Sequence, residues 1–206
     1  MIYLQPSQVL GFHSCEKEVA LSILNGSTQL RPSDNPWDWL GPGIYFWEFD
    51  PNRALHYAME CATGKQKFSG RINTPFVMGA IIELGNCLNL TESNSIGIVK
   101  DAYFELEKTL RQYGQTMPKN RGSNRVLDCS VIKFIHASNK NPAIPRYDTV
   151  RSHFQEGEPI YDGSNFTSGS HVEVCVLNPE QIIGYFLPQP VEDFNPYLLT
   201  EFRRSA

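Results

Sequence analysis

The chain has no run of about eighteen apolar residues, so it offers no transmembrane helix. Its first residues, MIYLQPSQVLGFHSCEKE, lack the basic start and long apolar stretch of a secretory signal. Cysteine is sparse and odd in number: Cys15, Cys61, Cys87, Cys129 and Cys175, with no CxxC pair. That argues against a disulfide framework and against a zinc site, and makes a reducing cytoplasm the expected compartment. No repeat, low-complexity tract or linker interrupts the chain, so 1–206 is expected to form a single domain. Charged residues make up only 19% of the sequence against 41% hydrophobic ones, the balance of a soluble globular protein with a real core.

Net charge is −4, but it is unevenly spread. Between Lys108 and Arg151 stand nine basic residues, opposed only by Asp128 and Asp148. Such asymmetry suits a nucleic-acid or other polyanionic partner. The plainer reading, a solvated basic face that balances an acidic half of the fold, stands ahead of it.

Local patterns predict strands at 9–14, 43–48, 75–85, 171–176 and 182–188. The run PFVMGAIIELG is almost continuously apolar, as in a strand buried on both faces. Helices are predicted at 16–26, where Gly26 marks the stop, and from the Asp50–Pro51 cap to about Thr63. Two more are predicted at 95–113 and 123–137, within a mostly helical insert at about 91–150. Residues 26–42 and 138–170 are rich in turn residues and predict surface loops. The sum is an α+β domain.

In HVEVCV the valines Val172, Val174 and Val176 share one face, and His171, Glu173 and Cys175 share the other. A carboxylate in mid-strand is poorly suited to that position unless its face opens onto a cleft. Glu173 is then either a cleft residue or a rim residue paired with an arginine. A second oddity is LGPGIYFWEFDPNRALHYA, which sets glycines beside several large aromatics. It points to a flat group held against closely approaching backbone.

Three features fall in order: His13 in GFHSC, Tyr45 in GPGIYFWE, and Glu173 in HVEVCV. On these residues the chain resembles the ADP-ribosyltransferase superfamily, in its diphtheria-toxin and poly(ADP-ribose) polymerase branch. The likeness extends to Gly41, Gly43, Ile44 and Phe46 around the tyrosine and to an aromatic on the next helix. It also takes in MGAIIELGNCLNL, and Gln181 placed eight positions after Glu173. It covers about residues 9–90 and 155–188. The resemblance implies a split β-sandwich core with flanking helices, NAD as co-substrate and no metal.

The resemblance also implies residue roles. His13 would bond a ribose hydroxyl, and backbone at Ser14 and Gly43 would help seat the nicotinamide. Tyr45 and Tyr57 would stack on its two sides, with Trp37 or Trp39 over the adenine. Glu173 would accept a bond from the ribose 2′-hydroxyl and favour the oxocarbenium-like transition state. Glu156 or Tyr161 would face the acceptor, if 154–170 is more than a surface loop. The chain departs from the family at Ser14 and Cys15, which stand where a glycine and a hydroxyl residue are usual. Tyr57 also sits one position late, which leaves His56 as a second stacking candidate.

The expected activity is mono-ADP-ribosyl transfer to a macromolecule, with RNA or DNA slightly ahead of protein. The small size fits a toxin held by an antitoxin or used in phage defence. The alternatives are an NAD glycohydrolase and a catalytically silent binding module. An RNA 2′-phosphotransferase is a weaker option, because no basic set is visible beside His13 or Glu173.

Overall fold

The apolar run at 75–83 becomes β3 (Pro75–Glu83), buried along most of its length. It pairs antiparallel with β1 (Gln8–Glu16) over nine positions, from Gln8↔Glu83 to Glu16↔Pro75. The computed structural model describes residues 7–65, 72–138, 146–196 and 198. Five further strands complete one sheet: β2 (Ile44–Glu48), β4 (Cys87–Asn89), β5 (Thr149–Phe154), β6 (His171–Val176) and β7 (Ile182–Phe186). Their order is β4-β5-β6-β2-β1-β3-β7. Where a split sandwich was expected, a single hydrogen-bonded sheet carries all seven strands. Its thinnest seam is β1–β2, paired only at Gly11↔Glu48 and Phe12↔Trp47.

The helices are α1 (Lys17–Leu24), α2 (Pro51–Ala62), α3 (Ser93–Gln112), α4 (Val126–Ser138) and the short α5 (Val191–Phe194). Asp50 caps α2 by accepting from the Arg53 N–H at 2.8 Å, with Pro51 at the first turn, as the sequence predicts. Glu16 caps α1 and also accepts from the N–H groups of Asn73 and Thr74, tying the start of α1 to the start of β3. The fully buried Asn195 donates to the Val77 carbonyl and accepts from its N–H, both at 2.8 Å. Its amide serves the edge of β3 that β7 does not reach.

Residues 138–170 are not all loop, because they contain β5. It runs parallel to β4, with Cys87↔Thr149 and Asn89↔Arg151 in register. Parallel neighbours need a crossover, and α3 and α4 supply it. The insert therefore begins and ends in the sheet. Among the described residues no helix is long and apolar enough to cross a membrane, and no cluster of metal-binding side chains occurs.

The two sheet faces are covered differently. On one, Ile44, Phe46, Val174 and Val176 join Val9, Ala80 and Ile82 in a buried cluster, with α1 packed nearby on Phe76 and Met78. On the other, α2 covers Phe12, Trp47 and Val77, while α4 covers Cys175, Val150 and Leu88. Between α2 and α4 this second face stays open.

Candidate functional site

That opening is a cavity of about 520 Å³. Its floor comes from β2 and β6, whose register pairs Tyr45 with Cys175 and Trp47 with Glu173. Alternation puts Tyr45, Trp47 and Glu173 on the same side, and all three line the cavity. His13 and Ser14 enter where β1 and β2 have parted. The His13 Nδ1 lies 2.8 Å from the Tyr45 carbonyl and stands where a strand-to-strand backbone bond would otherwise run. The triple His13, Tyr45 and Glu173, spread over most of the sequence, thus meets in one place.

Each member has a definite state. A carbonyl only accepts, so the His13 Nδ1 carries the proton and Nε2 is left as an acceptor. Burial lowers the His13 pKa below its ordinary 6.5, against the opposing pull of the Tyr45 carbonyl. The Tyr45 hydroxyl donates to the Gly41 carbonyl at 2.6 Å and accepts from the Leu40 N–H at 2.9 Å. Burial, then the nearby Cys175, Asp38 and Glu173, push its pKa far up. Its only proton is spent on the loop, so Tyr45 offers the cavity a ring and not an acid. The Glu173 side chain is 16% exposed, and its Oε1 lies 3.2 Å from the His171 Nε2.

The loop over the cavity, 33–43, is closed at its neck by Ser33 and Gly43, which exchange two backbone bonds of 2.8 and 2.9 Å. Asp38 staples it from inside, accepting from the Ser33 hydroxyl and the Asn35 N–H. Trp37 and Trp39 hang from this loop into the cavity. The Trp39 Nε1 donates to the Ser123 carbonyl at 2.9 Å, and the Arg125 guanidinium lies 4.9 Å from its ring centre.

The glycines have a different reason from the one the sequence suggested. A side chain at Gly43 would strike the Cys175 sulfur and the Val176 carbonyl. Gly41 has φ +80°, and a Cβ there would meet the Ile132 Cγ2 at 2.8 Å. Both let the loop pack on β6 and α4, so protein rather than ligand requires them. The Ser14 hydroxyl donates to the Ala54 carbonyl and fastens β1 to α2. Burial and the adjacent Glu16 raise the Cys15 thiol to about 12, so it is no nucleophile. Tyr57 lines the cavity, 5.1 Å from the Trp47 ring centre. The alternative, His56, is turned outward with its side chain 67% exposed.

Trp47 and Arg53 are cavity residues that the sequence did not single out. Trp47 forms the floor beside Tyr57. Arg53 stands one helical turn before Tyr57, so the i, i+4 rule aims both the same way. Its Nη2 donates to the Glu156 Oε2 at 3.0 Å, its guanidinium lies 5.7 Å from the Trp47 ring, and its buried Nε and Nη1 find no hydrogen-bond partner among the described residues. Glu156, flagged with the loop 154–170, reaches the cavity, while Tyr161 is 59% exposed. The lining is therefore aromatic and acidic, with Asp38, Glu156 and Glu173 against Arg53 alone.

Four of the nine basic residues in 108–151 are held in ion pairs. Along α3, Lys108 pairs with Glu105 and Arg111 with Glu107; Lys133 pairs with Asp34, and Arg151 grips Glu48 in a fork of 2.5 and 2.8 Å. Lys140 lies outside the described residues. Lys119, Arg121 and Arg125 have no ion pair among the described residues and sit on the α3–α4 loop, which reaches the cavity at Ser123. Comparison with known protein families, curated proteins and solved structures gave no match.

Proposed function

We propose that this chain is an NAD-dependent mono-ADP-ribosyltransferase, built on the ADP-ribosyltransferase-like architecture. The observation that carries the reading is the meeting of His13, Tyr45 and Glu173 in one cavity. Its volume falls within the usual range of about 300–1,000 Å³ for small-molecule sites. Its aromatic and acidic lining suits a flat cation, which is the chemical description of the nicotinamide ring of NAD.

In the reaction the bond between the ribose anomeric carbon and the nicotinamide nitrogen breaks, and the electron pair leaves with the ring. The acceptor nucleophile forms the new bond to that carbon and gives up its proton. The residues divide the work. The rings of Tyr45 and Tyr57 bound the flat leaving group. The His13 Nε2, kept as an acceptor, takes a bond from a ribose hydroxyl. The carboxylate of Glu173 favours positive charge on the sugar and holds a second hydroxyl. Trp37 and Trp39 offer stacking surfaces at the other end.

The acceptor is macromolecular, with nucleic acid ahead of protein. The support is the loop that frames the cavity mouth, where Lys119, Arg121 and Arg125 have no ion pair among the described residues and Arg125 stacks on Trp39. Cations interleaved with aromatics suit a single strand. A toxin paired with an antitoxin fits the same reading.

One observation favours a second reading. The hydroxyls of Tyr45 and Ser14 are both closed on protein carbonyls, as suits a silent binding module. Labelled NAD, incubated with the chain and cell lysate, decides. Label moved to a species destroyed by nuclease, and lost in Glu173→Gln, supports the transferase. Label destroyed by protease moves the acceptor to protein. Free ADP-ribose without transfer leaves a glycohydrolase, and binding without turnover leaves the silent module.

A further inference from the structure

Glu173 has a neighbour that its role needs. His171 stands two positions earlier on β6, on the same face, with its side chain only 1% exposed. Its Nδ1 lies 2.7 Å from the Gly169 carbonyl, and its Nε2 lies 3.2 Å from the Glu173 Oε1. The carbonyl can only accept, so Nδ1 carries a hydrogen. A neutral ring would then aim the Nε2 lone pair at a carboxylate oxygen. Two acceptors would face each other in a buried site. A second proton on Nε2 turns that clash into a charge-assisted bond.

We propose that His171 is a positioning residue, whose imidazolium bridges the Gly169 carbonyl and Glu173 and so fixes the carboxylate that works in the cavity. With Oε1 held, Oε2 is the oxygen left for the substrate. The catalytic half of this inference rests on the transferase reading, whereas the proton count does not.

The surroundings agree. Glu156, on the loop after β5, brings its Oε2 to 3.9 Å from the His171 Nδ1. Arg53 from α2 opposes the charge but is itself bonded to Glu156. From β5 the ring of Phe154 packs at 5.8 Å and adds no charge. Burial works to lower the His171 pKa, but the bonds to Glu173 and Gly169 outweigh it and hold it above the ordinary 6.5. The proton is thus in place below that raised value and is lost as the pH rises through it. Transfer then has a basic limb.

The test uses the full chain. The His171 ring is titrated by NMR in the wild type and in Glu173→Gln, and kcat and KM for NAD are followed against pH in the wild type, His171→Gln and His171→Leu. The ring is expected to titrate above 6.5 in the wild type and lower in Glu173→Gln. Wild-type kcat should fall about tenfold per pH unit beyond that midpoint, with KM little changed. Glutamine keeps a neutral N–H aimed at Oε1, so His171→Gln should retain activity and lose the basic limb. Leucine offers no donor, and a misplaced carboxylate should cost kcat about 100-fold.

A ring that titrates at or below 6.5 overturns the proposal. So does an unchanged basic limb in His171→Gln. If the leucine variant does not fold, the titration and the glutamine variant decide by themselves. A high-titrating ring in a chain that turns over no NAD would defeat the transferase reading and the catalytic role together, leaving a structural ion pair.

Discussion

Strands β2 and β6 show opposite characters on their two faces. On one side, Ile44, Phe46, Val174 and Val176 are at most 2% exposed and share one apolar cluster, with only the His13 ring reaching Phe46 from the site, 5.6 Å between ring centres. On the other, at the alternate positions of the same strands, Tyr45, Trp47, His171 and Glu173 carry rings, an imidazole and a carboxylate. The same backbone serves both because strand side chains alternate. Stability and chemistry are therefore written on interleaved residues and can be damaged separately.

The largest expected effect tests the apolar face. Phe46→Ala should lose about 3–5 kcal/mol of stability in urea unfolding, since a fully buried ring leaves a void in a packed cluster. Across the strand pair, Glu173→Gln should slow transfer from NAD by about 10²–10³-fold. Measured above the His171 midpoint, where that ring is neutral and the lost ion pair does not count, its unfolding free energy should change by less than that of Phe46→Ala. If the two substitutions damaged both properties alike, the separation of the faces would fail.

A smaller effect sharpens the contrast. Tyr57→Ala should weaken NAD binding by about 0.5–1.5 kcal/mol beyond the area lost, measured by calorimetry, while His56→Ala should leave it unchanged. The smallest concerns His13. Its folded-state pKa is depressed by burial, so below 6.5 the unfolded chain takes up the proton more readily. Stability should rise with pH between the depressed value and 6.5, and be lost as the pH falls through that window. His13→Gln should flatten that dependence in unfolding midpoints measured on either side of 6.5.

The helices and most strands were legible because each carries its own period. α3 and α4 lie within a few residues of the predicted 95–113 and 123–137. β4 and β5 were not. β4 is three residues long, and β5 reads Thr-Val-Arg-Ser-His-Phe among turn residues, with Arg151 engaged by Glu48 from β2. No local pattern encodes a partner so far away.

The site divides in the same way. The phase of HVEVCV already put His171 beside Glu173, but not the proton between them. Arg53 belongs to the cavity only after α2 folds back over β2. Gly41 and Gly43 were visible as unusual, yet the atoms that forbid a side chain there lie on α4 and β6.

The Asn195 amide has a consequence of its own. By satisfying Val77 on both sides, one side chain acts as the last rung of a ladder whose strand has already ended. Without that plug, the Val77 N–H and carbonyl would be left bare inside the protein, at the cost of two buried polar groups with no partner. A single carboxamide from far along the chain thus finishes a sheet that its own strands leave incomplete.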